Sequence, residues 1–430
     1  MAQFSLPFGD GTVAISLPAA RQIQVVDGKP APAVADVAAA VRQALARPIG
    51  APPLGELVAA GERVAVVASD LTRGSLRHDL FLPVLLDELN TAGVPDNDIT
   101  LVVALGAHRR HTHEENVATY GRETVGRVHI EQSFAQDEAE FVRIGATSRG
   151  VTARISRHVA AADKVILTGG IAYHPMAGFA GGRKSVVPGV ASYGTIQANH
   201  RFCLNDTAGG GVNPLCGSGL LAGNPLHEDQ MEIAALLAPA FLLNVIPAPG
   251  GGHAGFVAGH WRAAWEEGCR QVAAIYGVPV RARTDLVVAS AGGYPKDINF
   301  YQATKATENA LAACKEDGVV IAFMECRNIA EPPDFSGWFD ISSLFDRERA
   351  LRERFTVPGY VALKTGFDAR RIQHIIVTRP ENRAFIEKAG MTPAADFAAA
   401  LALAEARIGR DGYTATVMPH AADTLPLPAG

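Results

Sequence analysis

From residue 63 onward, short apolar runs alternate with helix-patterned stretches, and this alternation leaves few folds open to the chain. RVAVVAS (63–69) reads as a buried strand, 79–92 as a helix, and Ile99 to Leu105 as the next strand. Val165–Leu167, Phe241–Val245, Asp285–Ser290, Val319–Met324 and His374–Thr378 continue the strand pattern. Helical spacing covers 226–238, 261–276, 300–314, 382–389 and 394–406. Strands separated by helices make mainly parallel sheets with helices on their faces, the α/β class. The 430 residues exceed what one core usually holds. The expectation is two α/β domains, 1–275 and 276–430, with the active site in the cleft between them. Ahead of this pattern, residues 3–27 read as a hairpin about Gly9-Asp10-Gly11 and Val34–Ala46 as a helix. The tail after Asp411 is expected to fray or to pack back on the first domain.

Composition narrows the function. A net charge of −5 with no basic run gives no reason to expect nucleic acid as a partner. Charged residues are 19% of the chain, below the usual quarter or so, which argues against long solvated segments. The five cysteines, at 203, 216, 269, 314 and 326, form no CxxC pair and suit neither a disulfide framework nor a zinc ribbon. No apolar run nears the roughly 18 residues of a membrane span. The N-terminus lacks the basic and apolar regions of a signal peptide, so a cytoplasmic protein is expected.

In a parallel sheet, ligands bind at the carboxyl ends of strands. The first strand delivers Asp70 and Arg73, the second His108, and the strand at 165–167 a glycine-rich loop opening with His174. Topology thus sends three chemical groups to one rim. Asp70 and Arg73 are read either as a local ion pair or, for Arg73, as a two-pronged clamp on a carboxylate. His111 and His113 read as solvated or capping residues. Tyr301 and Lys305 share a helix face with Gln302 nearby.

GFAGGRKS (178–185) approaches the phosphate loop GxxxxGK[ST], but Arg183 stands where a glycine must precede the lysine. That disfavours a nucleotide kinase. A lysine leaving such a loop can sit over a phosphate or act as a nucleophile. His174 and His200 on either side of it offer a base, an acid or a metal ligand. The glycines are expected to let backbone pass close to a bulky ligand. The residues alone describe an enzyme acting on a small anion.

Taken together, DLTR (70–73), GAHR (106–109), HPMAGFAGGRKSVVPG (174–189), Asn199-His200 and GGYPKDINFYQATKA (292–306) resemble the nickel-dependent lactate racemases and their 2-hydroxy acid racemase and epimerase relatives. The motifs follow the family's order over most of the chain. The resemblance implies a nickel-pincer nucleotide, a pyridinium mononucleotide whose two sulfur-bearing arms hold nickel. It implies covalent attachment at Lys184, and His200 as the protein's ligand to the metal. His108 and His174 would be acid and base on opposite faces of the substrate, and Arg73 would hold its carboxylate. Asp70, Tyr301, Gln302 and Lys305 would position cofactor or substrate, and Trp338 matches a family tryptophan near the cofactor. Enzymes that build the cofactor would be maturation partners. Tyr173, Pro175 and Met176 differ from the lactate enzymes, which leaves the substrate side chain open, from lactate to a longer, aromatic or sugar-derived hydroxy acid. The competing expectation is a non-catalytic protein that binds a nucleotide or carboxylate.

Overall fold

A computed structural model describes residues 3–410 and 412–428. The chain divides into two compact units. One comprises residues 30–202 and 215–273, the other residues 1–29, 203–214 and 274–430. A single cut near residue 275 therefore misplaces two segments, 1–29 and 203–214.

The first unit is built on a six-stranded sheet. Its order is His253–Gly259, Phe241–Pro247, Lys164–Gly170, Val64–Ser69, Ile99–Gly106, His129–Phe134. All neighbours run parallel except the outer pair, where His253–Gly259 is antiparallel to Phe241–Pro247. Val64–Ser69 has only Ser69 partly exposed. A strand covered on both faces loses the polar/apolar alternation, which is why VAVVAS is nearly all apolar. Val64, Val66, Leu101, Val103, Ile166 and Leu243 point into one core with Phe81, Leu85 and Leu89 of the helix His78–Thr91. The next helix, His113–Arg127, starts at a capping box: Thr112 accepts from the Glu115 N–H and Glu115 accepts from the Thr112 N–H.

The second unit carries a six-stranded, wholly parallel sheet. Its order is Thr392–Ala394, Gln373–Val377, Cys314–Phe323, Thr284–Ser290, Thr414–Met418, Gln22–Val25. The N-terminal hairpin Gln3–Phe8 with Gly11–Ser16 packs Leu6 and Ile15 into this unit's core. The described part of the tail is ordered, against the expectation of fraying, and belongs to this unit. Leu425–Pro428 pairs in parallel with Gly277–Val280. The segment 203–214 is held by the buried Glu348, whose carboxylate accepts the N–H of Gly209 at 2.9 Å and of Gly211 at 2.8 Å. All five cysteines are buried and unbridged. No helix among the described residues is long and apolar enough to cross a membrane.

Candidate active site

The site begins with strand order. From Val64–Ser69 the chain steps outward to Ile99–Gly106 and His129–Phe134, then returns on the other side with Lys164–Gly170 and Phe241–Pro247. Crossovers that leave in opposite directions open a crevice at the carboxyl ends of the two strands where they part. Those strands are Val64–Ser69 and Lys164–Gly170. Asp70 and Arg73 follow the first and His174 follows the second, while His108 follows the neighbouring Ile99–Gly106.

Asp70 is buried and its carboxylate is fully engaged. Its Oδ2 lies 2.6 Å from His108 Nδ1, and its Oδ1 accepts the Thr72 hydroxyl at 2.6 Å. Burial alone would raise this carboxyl. The bonds from His108 and Thr72, with the charges of His108 and Arg73, outweigh burial and hold it below the usual carboxylate value. An ionised Asp70 accepts from a protonated His108 Nδ1, which in the neutral ring puts the lone pair on Nε2. His108 itself is 55% exposed. Of the two readings of Asp70 and Arg73, the local ion pair is not formed; Asp70 pairs with His108. Arg73 is exposed, and among the described residues its side chain makes long bonds to Thr72, at 3.3 and 3.4 Å.

Beneath this pair, His111 is buried rather than solvated. Its Nε2 accepts the Leu71 N–H at 3.2 Å and its Nδ1 meets Asn116 Oδ1 at 3.0 Å. It thereby supports the turn that presents Asp70.

His174 is half-buried in a two-residue strand that pairs with Gly178-Phe179. Its Nδ1 accepts the backbone N–H of Met176 at 3.2 Å and of Ala177 at 3.1 Å. Its pKa lies well below the ordinary histidine value, first through burial and then through the positive charges of Lys184, Arg73, Arg183 and His200. The charges that act on His174 thus come from three of the expected residues, Lys184, Arg73 and His200, and from Arg183. His200 is buried at the end of the helix Tyr193–His200, with Nδ1 2.9 Å from the Ile196 carbonyl. Burial and then the Lys184 charge push its pKa down to about 3, against the opposing effect of the Ile196 bond.

The glycines are needed by the protein's own packing. A Cβ on Gly182 would lie 2.5 Å from Trp265, one on Gly181 2.7 Å from Asn244 Oδ1, and one on Gly178 2.4 Å from the Leu220 carbonyl. All three have positive φ. The loop is glycine-rich because protein closes on it. Arg183, the residue that breaks the phosphate-loop pattern, is wholly buried. Its Nη1 and Nη2 donate to the carbonyls of Phe179 and Ala177, and its guanidinium stacks 4.1 Å over Trp265. Neither Arg183, Trp265 nor Asn244 stood out in the sequence as a site residue. For Arg183 the available signal was an arginine inside a glycine run.

Around His174, the Met176 side chain is buried and the Tyr173 ring packs at a tilt against Phe179, centroids 4.9 Å apart. These two residues consolidate the loop.

The remaining expected residues belong to the other unit. Tyr301, Gln302 and Lys305 lie at the start of the helix Phe300–Ala313. Tyr301 packs on Phe335 at 5.1 Å, and Lys305 Nζ donates to Gln302 Oε1 at 2.8 Å. Trp338 lies in the short turn Gly337–Asp340 and packs against the helix Val357–Arg371, where a Cβ on Gly359 would meet its ring at 2.5 Å.

Comparison with known proteins identifies the family and the fold. Residues 8–211 match the family model of the lactate racemase N-terminal domain, and residues 280–424 that of the lactate racemase C-terminal domain. A lactate racemase from Thermoanaerobacterium thermosaccharolyticum is 30% identical over 420 residues, 96% of both chains. One from Lactiplantibacillus plantarum is 34% identical over 338 residues, 78% of this chain and 77% of that one. The structure of the Thermoanaerobacterium lactate racemase apoprotein superposes with a TM-score of 0.88, covering 99% of this chain and 100% of that one. A Thermotoga maritima protein shares the fold at 14% identity, with a TM-score of 0.60 over 91% of this chain and 97% of its own. The chain belongs to the lactate racemase family.

Proposed function

We propose that the protein is a racemase of a 2-hydroxy acid, lactate or a larger relative, whose chemistry runs at the rim bearing His108 and His174. One observation carries this reading. Two histidines stand at the ends of strands that lie on either side of the strand carrying Asp70 and Arg73. Inverting a carbon needs a proton-handling group on each side of the substrate, whereas a one-handed dehydrogenase needs one.

The residues fit the family's cofactor. Among the described residues no three His, Cys, Asp or Glu side chains gather into a metal cage. A metal here would therefore take most of its ligands from a bound group. His200 suits the one protein position. Its Nδ1–H rests on the Ile196 carbonyl, which leaves the Nε2 lone pair on a neutral, buried imidazole. A soft, planar site of sulfur and nitrogen donors is one that nickel(II) favours. Lys184, whose charge reaches both His174 and His200, is the residue we assign to covalent attachment. Once bound, the nickel-pincer nucleotide supplies a centre that accepts and returns a hydride.

The chain's own residues do the rest. Arg73 binds the substrate carboxylate and sets the axis about which the planar keto acid turns. His108, backed by the ionised Asp70, takes the hydroxyl proton on Nε2. His174 serves the substrate oxygen from the other side. Asp70 thus acts on His108 in this scheme, in place of direct contact with the cofactor. Tyr301, Gln302, Lys305 and Trp338 keep the cofactor and substrate roles that the family pattern implies. The test is to make the protein together with the cofactor-building enzymes and feed it one enantiomer of lactate. The other enantiomer should appear. Optical purity that persists across lactate and larger 2-hydroxy acids, with the cofactor loaded, would contradict the reading.

A further inference from the structure

The helix that ends at His200 has little apolar hold on the protein. Over Tyr193–His200 the buried residues are Thr195, Ile196, Asn199 and His200, and Ile196 is the one large aliphatic side chain among them. A short helix takes its stability from packing, and a single aliphatic anchor leaves it free to slide and to turn about its axis. Polar clamps stop both movements. Near the N-terminus, Thr195 Oγ1 donates to the Thr152 carbonyl at 2.8 Å and accepts the Arg154 N–H at 3.1 Å. At the other end, Asn199 Nδ2 donates to Asp229 Oδ2 at 2.8 Å and to the Leu226 carbonyl at 3.3 Å, while Asn199 Oδ1 accepts Gln230 Nε2 at 3.2 Å.

All three partners of Asn199 stand on the helix Pro225–Leu237, and Asn199, Asp229 and Gln230 are each 0% exposed. Desolvating two amides and a carboxylate is costly. An interface that only needed filling would do as well with apolar side chains of the same shape. The polar set adds one thing those lack, a single depth and rotation for the shorter helix. The longer helix also reaches the loop of His174. Its N-cap, Asn224, donates to the Met176 carbonyl at 2.8 Å and to the Leu220 carbonyl at 3.0 Å. Pro225–Leu237 is thus a common frame for the residue beside His200 and the residue two beyond His174.

We propose that Asn199, clamped by Asp229 and Gln230, is a positioning residue for His200. The proposal rests on the reading of His200 as the protein's ligand to nickel. Asn199 acts through the backbone of the last helical turn. It fixes where that turn sits, and so where the His200 Nε2 lone pair points, while Nδ1 is engaged by the Ile196 carbonyl. A metal ligand must be held within about 0.5 Å and 10–20° of its productive placement. An apolar contact in place of the clamp would let the helix settle outside that range.

The test follows nickel and needs no turnover. Protein made together with the cofactor-building enzymes is checked for its covalent adduct by intact mass, incubated with EDTA, and sampled for protein-bound nickel by elemental analysis. Asn199→Leu/Asp229→Leu/Gln230→Met removes the whole clamp, leaves no partner unpaired, and should keep the thermal midpoint near that of wild type. Nickel should nonetheless leave about 10- to 100-fold faster, the usual effect of losing a ligand's supporting partner, while the organic part of the adduct stays attached. Asn199→Asp/Asp229→Asn reverses the shortest bond and keeps it, so nickel should leave at close to the wild-type rate. Gln230→Met removes one bond alone and should speed the loss severalfold, which decides the matter if the triple variant does not fold. Nickel loss at the wild-type rate from the folded triple variant, or from Gln230→Met in its place, would overturn the proposal. So would a reversed pair that loses nickel as fast as the triple variant. His200→Ala separates the two readings. Fast loss there beside wild-type loss from the clamp variants removes the role of Asn199 and leaves His200 as the ligand. Slow loss from His200→Ala removes both.

Discussion

Asp70 Oδ2 lies 2.6 Å from His108 Nδ1, across the ends of two neighbouring parallel strands. The carboxylate is buried and the imidazole more than half exposed, so the aspartate orients a ring that is otherwise free to turn. Asp70→Asn removes the charge and lets His108 present the wrong nitrogen. Racemisation should fall by about 10²-fold or more, the usual worth of a positioned acid or base. Covalent cofactor should be unchanged by intact mass. A variant that turns over at the normal rate would show that Asp70 does not set the His108 tautomer.

Arg73 carries the substrate carboxylate in this account. It is exposed, and its only described hydrogen bonds are long ones to Thr72. Replacing its planar fork with a point charge in Arg73→Lys should cost about 2 kcal/mol of binding, roughly a thirtyfold loss in kcat/KM. The thermal midpoint should hardly move. Initial rates over a substrate series decide it, and an unaltered kcat/KM would remove Arg73 from the substrate.

Lys184→Ala should abolish the covalent adduct while leaving the fold intact. Intact-mass spectra of wild type and variant, both made with the cofactor-building enzymes, give the answer. An adduct of equal mass on the alanine variant would assign the attachment elsewhere.

Gly182 has φ of +54°, and a Cβ there would meet Trp265 at 2.5 Å. Gly182→Ala should therefore destabilise the first unit by about 2 kcal/mol or more, through strain and forced movement of the indole. Urea titration measures it. An unchanged midpoint would mean the loop has room that the packing denies.

The buried His78 predicts acid sensitivity. It sits against Phe81 and Tyr120, neither ring nitrogen has a hydrogen-bond partner, and burial lowers its pKa to about 4. Because the folded value lies below the ordinary 6.5, the unfolded chain takes the proton first. Stability is fully present above pH 6.5 and is lost as pH falls towards 4. By pH 5 this one group should cost about 2 kcal/mol. Urea midpoints at pH 7.5 and pH 5 should differ, and His78→Phe should narrow the gap. An equal gap in wild type and variant would clear His78.

Much of this was legible in the sequence because it is local. VAVVAS reads as a covered parallel strand, and topology alone brings Asp70, His108 and His174 to one rim. The parts that were not legible are long-range or weakly patterned. The helices Leu344–Glu353 and Val357–Arg371 are rich in arginine and have little apolar periodicity. The second-unit allegiance of 203–214 depends on Glu348, whose carboxylate holds Gly209 and Gly211 from 139 and 137 residues away. The packing of the glycine loop was hidden for a similar reason. Its tight approach is to Trp265 and Asn244, each more than sixty residues downstream, so the run of glycines resembled a ligand cradle until its protein neighbours were known.

The most direct test of the central claim uses one enantiomer of a 2-hydroxy acid deuterated at the α-carbon. Cofactor-loaded protein, verified by intact mass, is incubated with it in ordinary water. The account predicts that optical purity decays while the deuterium stays on carbon, because it leaves and returns as hydride. Racemisation with deuterium lost to water would contradict hydride transfer. Unchanged configuration throughout a panel that includes lactate would contradict the racemase itself.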